Sequence, residues 1–189
     1  MNHGSHSIRT LTLACIALTA VVGSSIPRPA SAASAAELNR DSAAALNQLY
    51  AQQPSARVLG QKAKGILVFP AMVKAGFMFG GQVGEGALRK NGKVVAYYNS
   101  VAASYGFQAG VQKFGYALFF MTNAALDQLD STDGFELGVG PSLVVVDEGM
   151  GKSITTNTIT SDVYAFIFSQ KGLMAGAGIQ GSKITRISK

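Results

Sequence analysis

The placement of glycine constrains the fold of this chain more than any other feature of its sequence. Within one short segment, five glycines interrupt a series of apolar residues: Gly76, Gly80, Gly81, Gly84 and Gly86 lie among Phe77, Phe79 and Val83. Glycine inside a strand usually marks a bulge, a sharp bend or a close approach of two backbones. The segment therefore predicts a strongly curved β-sheet.

Turn signals divide the region after residue 65 into strands. Asn91-Gly92 fits a type I′ hairpin between residues 87–89 and 94–98. The apolar run of residues 66–69 predicts a short strand that Pro70 closes. Further strands are predicted over residues 116–122 and 143–147, and a second hairpin joins residues 162–169 to 173–184 around Lys171-Gly172. Residues 123–129 are typical of a short helix between strands.

Two helices are predicted before the sheet. Ser34 and Glu37 have the spacing of a capping box. Five apolar residues follow at helical spacing, through Ala51: Leu38, Ala45, Leu46, Leu49 and Tyr50.

Pro54 can open a second helix, which runs over Val58 and Leu59 and stops at Gly65. We therefore predict an α+β fold, with two N-terminal helices packed on a curved, glycine-rich antiparallel sheet or a small open barrel.

The first 32 residues have the pattern of a cleavable signal peptide. His3, His6 and Arg9 give a weakly positive start, residues 11–22 are apolar, and Ala30-Ser31-Ala32 is a small-residue end. We predict cleavage after Ala32, a single domain over residues 33–189, and an exported protein in the periplasm or at the cell envelope. The apolar run is about a dozen residues, whereas a spanning helix needs about 20.

Cys15 leaves an alternative open for the leader, because bacterial lipoproteins are cut before a cysteine that becomes acylated. Thr12 stands where leucine is expected, and the apolar run continues past Cys15. These two features favour a cysteine inside the leader over a lipid anchor.

The predicted mature chain lacks the side chains of several enzyme classes. Without histidine or cysteine after residue 32, it cannot hold a Ser-His-Asp triad, a cysteine nucleophile or an ordinary zinc site. A hydrolase based on a carboxylate pair stays open, with Glu85, Asp147 and Glu148 as candidates. We predict a protein that is not an enzyme.

Two further motifs fail as cofactor sites. Residues 149–153 end like a phosphate-binding loop, but Val146 stands where that loop requires its first glycine. Four acidic residues are close in sequence but lack the spacing of a calcium loop: Asp127, Asp130, Asp133 and Glu136. We therefore predict no metal and no cofactor.

Three sequence segments, taken together, are typical of a known family. The first is KAKGILVFP at residues 62–70, followed by KAGF at 74–77 and Gly80-Gly81. The second is ASYGFQAGVQ at residues 103–112. The third combines GVGP at residues 138–141, Tyr164 and KGLMAG at 171–176. Together and in this order, the segments resemble the SYLF domain family, the lipid-binding and actin-associated domain of yeast cortical-patch proteins, which also has many bacterial members.

The resemblance implies a non-catalytic domain that binds membrane lipid, phosphoinositides in the eukaryotic members, through basic and amphipathic N-terminal elements. Basic residues cluster early in the chain only at Arg57, Lys62, Lys64 and Lys74, so we predict that these four bind anionic lipid.

Other partners are less compatible with the sequence. Removal of Arg9 and Arg28 with the leader leaves 14 basic and 10 acidic residues, a net charge of +4. This modest charge in an exported protein argues against nucleic acid. Actin is not expected outside a bacterial cell. A structural or assembly protein of the envelope stays open as an alternative, and the sequence leaves the oligomeric state open.

Overall fold

The computed structural model describes Met1 and residues 33–131, 135–136, 140–146, 151, 154–155, 157–172 and 182–189. Residues 32–189 form one compact unit. The predicted leader after Met1, including Cys15 and the predicted cleavage position Ala32, lies outside the described residues. The same is true of Asp133, Asp147 and Glu148 and of most of the loop at 149–153.

Both predicted N-terminal helices are confirmed. α1 spans Ala35–Gln52 and begins with the capping box, in which the Glu37 amide donates to Ser34 Oγ (3.2 Å) and the Ser34 amide donates to Glu37 Oε2 (2.8 Å). α2 spans Pro54–Lys62 and has proline at its first position. It ends before the predicted stop at Gly65, which is instead the first residue of a strand.

A long antiparallel hairpin forms most of the sheet. β1 (Gly65–Lys90) pairs with β2 (Lys93–Phe120) along nearly its whole length. The predicted turn is confirmed, with Asn91 and Gly92 at φ values of 51° and 77°. The prediction that Pro70 closes the first strand is wrong. A register shift between Phe69 and Met72 places Pro70 in an irregularity, where its missing N–H interrupts no regular pairing.

The remaining described elements complete an α+β fold. They are α3 (Asn123–Leu129), β3 (Phe135–Glu136), β4 (Leu143–Val146), β5 (Val163–Gly172) and β6 (Lys183–Ile187). The strand order is β3-β6-β2-β5-β4, with β1 on β2, and among the described pairings only β4 and β5 are parallel. The predicted fold class and the helix at 123–129 are confirmed. Residues 173–181 of the predicted second hairpin lie outside the description, and β6 pairs with β2 and β3.

Each face of the sheet carries its own apolar core. Tyr116, Leu118 and Phe120 of β2 belong to an inner core, which also contains Leu126 and Leu129 of α3. Ala117 and Phe119 alternate with them and belong to an outer core beneath α1 and α2. Because β2 is buried on both faces here, its sequence is apolar without alternation.

Two strand glycines let opposite parts of β1 approach each other in the inner core. A Cβ atom on Gly84 would lie 2.3 Å from the Met72 sulfur, and one on Gly86 would lie 2.7 Å from the Phe69 ring. The hairpin therefore folds back on itself. This is the close backbone approach that the glycine pattern predicts.

Candidate functional site

Three of the four predicted lipid-binding residues lie at the surface around α2. Arg57 and Lys62 belong to α2, and Lys64 immediately precedes β1. All three are exposed. None of them takes part in an ion pair with another described residue. Their charges can therefore act on a ligand or surface outside the protein.

Lys74 is placed differently. Its side chain is only 3% exposed, and its cross-strand partner Gln112 is 5% exposed. Strand alternation puts Lys74 on the same face as Met72 of the inner core. The structure thus separates Lys74 from the three exposed cations, and a surface formed around α2 consists of Arg57, Lys62 and Lys64.

The fold adds Arg89 to this region. The guanidinium carbon of Arg57 lies 5.8 Å from the centre of the Tyr50 ring, within range of a cation–π interaction. Burial raises the pKa of Tyr50, while the positive charges of Arg57 and Arg89 act in the opposite direction. Arg89 also donates to the Gly92 carbonyl (2.9 Å), which fixes it beside the hairpin turn. Sequence spacing gave no signal for Arg89, because it approaches Tyr50 only when the hairpin folds back.

Gly60 allows Tyr50 to lie against α2. A Cβ atom at position 60 would be 2.2 Å from the Tyr50 hydroxyl and 2.9 Å from the ring carbon that bears it. The ring of Tyr50 also lies 6.4 Å from that of Phe119, between the helices and the sheet. Tyr50 therefore links α1, α2 and β2 beneath Arg57.

A cavity of about 720 Å³ lies beside the same helix. This volume is within the roughly 300–1,000 Å³ of typical small-molecule sites. Its apolar lining comes from the start of α2, from β5 and from the segment after β4: Pro54, Val58, Ile154, Ile167 and Phe168. Such a lining suits an apolar group of considerable size.

The polar lining of the cavity carries no formal charge among the described residues. It consists of amides, hydroxyls and one glycine: Gln52, Gln53, Ser55, Gly151, Ser169 and Gln170. A Cβ atom on Gly151 would lie 3.1 Å from Ser55 Oγ, so this segment runs close to the first turn of α2.

An irregularity in β5 supplies one wall of the cavity. Gly115 pairs with Phe168 but Lys113 pairs with Lys171, so β5 has one extra residue between these pairs. Ser169 has a φ of 54°, a left-handed conformation that is uncommon outside glycine. Bulges of this kind redirect side chains and occur often beside functional sites. Both bulged residues, Ser169 and Gln170, line the cavity.

Of the three candidate carboxylates, Glu85 alone lies in the described part of the chain. Glu85 forms an ion pair with Lys189, with 2.8 Å between Oε2 and Nζ, whereas Asp147 and Glu148 lie outside the described residues. Within the described ranges, no three acidic, histidine or cysteine side chains are arranged to hold a metal ion. None of the described helices combines the length and the hydropathy needed to cross a membrane.

Comparison with known proteins gives a match over the second half of the chain. No curated protein is significantly similar to it. A family described as "Ysc84: Las17-binding protein actin regulator" matches residues 101–189, which begin within β2 and include α3 and β3 to β6. This is the SYLF family that the three sequence segments resemble. Residues 101–189 are therefore similar to the Ysc84 (SYLF) family.

Proposed function

We propose that this chain is an exported protein of the cell envelope whose domain binds anionic membrane surfaces without catalysis. The observation that carries the proposal is the exposed cluster of Arg57, Lys62 and Lys64 around α2, none of which forms an ion pair with another described residue. The family match over residues 101–189 supports a binding domain in general. Neither actin nor nucleic acid is part of the proposal.

The charge distribution along the chain favours an anionic partner at this place. Residues 42–84 contain no aspartate or glutamate, yet they contain Arg57, Lys62, Lys64 and Lys74. α2 itself is therefore purely cationic in its charged side chains. A bilayer rich in anionic lipid attracts such a surface without any precise geometric fit.

The expected binding is weak and depends on salt. A basic residue close to an anionic membrane contributes about 1 kcal/mol, so the three exposed cations supply about 3 kcal/mol together. Lys74 adds little to this sum because its side chain is buried. Screening acts over about 10 Å at 0.1 M salt, so binding should fall steeply as salt is added.

Co-sedimentation with liposomes tests the proposal. The wild type should sediment with vesicles containing phosphatidylglycerol and remain in solution with purely zwitterionic vesicles. The variant Arg57→Glu, Lys62→Glu, Lys64→Glu should lose this binding at 0.1 M salt, because it replaces local attraction by repulsion. Circular dichroism and thermal unfolding establish that each variant is folded.

A matched variant separates local charge from net charge. Arg40→Glu, Lys93→Glu, Lys113→Glu changes three exposed cations outside α2 and alters the net charge equally. This control should retain most of the binding. Equal loss in both variants would show that only net charge matters, and full binding by the α2 variant would refute the proposed surface.

A further inference from the structure

We propose that the cavity beside α2 binds the alkyl chain of an anionic amphiphile whose headgroup lies at Lys62. This inference rests on the proposed function, since it gives the same region a specific ligand class. The cavity has the volume of a ligand site, about 720 Å³, and an apolar wall that includes Val58, Ile167 and Phe168.

The geometry of α2 connects the cavity to a positive charge. Pro54, Val58 and Lys62 are spaced four residues apart and therefore follow one another along one face of the helix. The first two line the cavity, and the third is exposed at the end of the row. A molecule that lies along this row would place an apolar chain against Pro54 and Val58 and its charged end near Lys62.

The electrostatics select an anionic headgroup over a cationic one. No described residue that lines the cavity carries a formal charge, and residues 42–84 contain no carboxylate to attract a cation. The bulge in β5 brings two uncharged polar residues, Ser169 and Gln170, into the lining of the cavity. Uncharged polar groups of this kind can hydrogen-bond to ester oxygens without competing with Lys62 for the charge of the headgroup.

Alkyl phosphates of increasing length, each used below its micelle concentration, test the cavity by calorimetry on the full chain. Burial of each methylene is worth about 0.8 kcal/mol, so affinity should rise about fourfold per added methylene until the cavity is full. Lys62→Gln should lower the affinity for every member of the series by a similar factor without changing this dependence on length. Alkyl glucosides of matched length should bind more weakly than the phosphates.

Two variants fill the cavity from different walls. Val58→Trp adds a large side chain from α2, and Gln170→Trp adds one from the exposed end of β5. If one of the two variants does not fold, the other still tests the cavity. Each should reduce the affinity for the longest phosphate more than tenfold. Val95→Trp, at an exposed valine of β2 that does not line the cavity, should leave it unchanged. Affinity that is independent of chain length, or unaffected in both filled variants, would overturn the proposal.

An experiment with vesicles identifies the source of the bound alkyl chain and separates the two proposals. After incubation with phosphatidylglycerol vesicles and their removal by flotation, mass spectrometry of the protein should detect bound lipid in the wild type and none in the filled variants. Binding of alkyl phosphates without extracted lipid would support the cavity with a free amphiphile as its ligand. If liposomes bind but alkyl phosphates do not, the cavity proposal fails alone. If the α2 charge variant sediments like the wild type, the surface proposal fails whatever the cavity binds.

Discussion

The Tyr98 hydroxyl donates a hydrogen bond to the carboxylate of Asp130 and thereby joins β2 to the end of α3. Asp130 also accepts from Arg186 of β6 (3.2 Å), so one carboxylate connects three elements. Tyr116 lies on the same strand and also belongs to the inner core, but its hydroxyl has no hydrogen-bond partner among the described residues. The two tyrosines offer a matched comparison of a satisfied and an unsatisfied buried phenol.

Replacement of each tyrosine by phenylalanine should have opposite effects on stability. Tyr98→Phe removes a hydrogen bond to a charged group and should lower the free energy of unfolding by about 1.5–3 kcal/mol. Tyr116→Phe removes a hydroxyl whose desolvation is not compensated, so it should be neutral or stabilising by about 1 kcal/mol. Urea unfolding of both variants measures the difference. A comparable loss of stability in Tyr116→Phe would mean that its hydroxyl has a partner after all.

The same two residues predict the response to alkali. Burial raises the pKa of Tyr116, and burial together with the hydrogen bond to Asp130 raises the pKa of Tyr98 above the ordinary value of 10.0. A raised pKa in the folded state means that stability is fully present below pH 10 and is lost as the pH rises further. For Tyr116, the loss is about 1.4 kcal/mol per pH unit above 10. Urea titrations between pH 9 and 11.5 should therefore show a shallower decline in Tyr116→Phe; parallel curves would contradict the role of this phenol.

Local signals in the sequence predict the first helix and the hairpin, and the contacts of the residues involved show why. The capping box depends only on Ser34 and Glu37, and the hairpin turn depends on the left-handed conformations of Asn91 and Gly92. Each signal involves residues three positions apart or fewer. The prediction for Pro70 is wrong because a bulge removes the need for its N–H, and a bulge depends on the partner strand.

The site depends on relationships that no local pattern contains. Arg89 affects Tyr50 only because the hairpin folds back, and the cavity needs α2, β5 and the segment at 154 together. The burial of Lys74 follows from its strand face, which the bulge after Phe69 determines. Sequence analysis could therefore find three exposed cations but neither Arg89 nor the cavity.

Gly86 should be intolerant of a side chain. Alanine there would place Cβ 2.7 Å from the Phe69 ring, which is itself stacked on Tyr116 and cannot yield easily. Overpacking of this kind costs about 1–3 kcal/mol. Gly81→Ala is the control, because its Cβ would lie 3.8 Å from the nearest atom, the Ala102 carbonyl oxygen, and the residue is exposed. Thermal unfolding should show a marked decrease for Gly86→Ala and little change for Gly81→Ala; equal effects would exclude packing against Phe69 as the cause.

Asp162 should stabilise the fold only while it is ionised. Ser142 donates to Asp162 Oδ2 from its hydroxyl (2.8 Å) and its amide (3.1 Å), and Thr122 donates to Oδ1 (3.3 Å). These hydrogen bonds hold the pKa of Asp162 below its ordinary value of 3.8, and the bond from the Ser142 hydroxyl has the largest effect. A lowered pKa in the folded state contributes stability that is present above pH 3.8 and is lost as the pH falls through the folded value.

The variant Asp162→Asn should therefore unfold at a lower temperature than the wild type at pH 7, and this difference should shrink as the pH falls below 3.8. Ser142→Ala is the complementary change, because it removes the hydroxyl that donates to Oδ2 and accepts from the Asp162 amide (2.8 Å). In that variant the pKa of Asp162, followed by its carboxyl resonance in NMR, should rise toward 3.8. A difference in melting temperature that stays constant from pH 7 to pH 2 would show that the carboxylate charge is not what joins the start of β5 to Ser142.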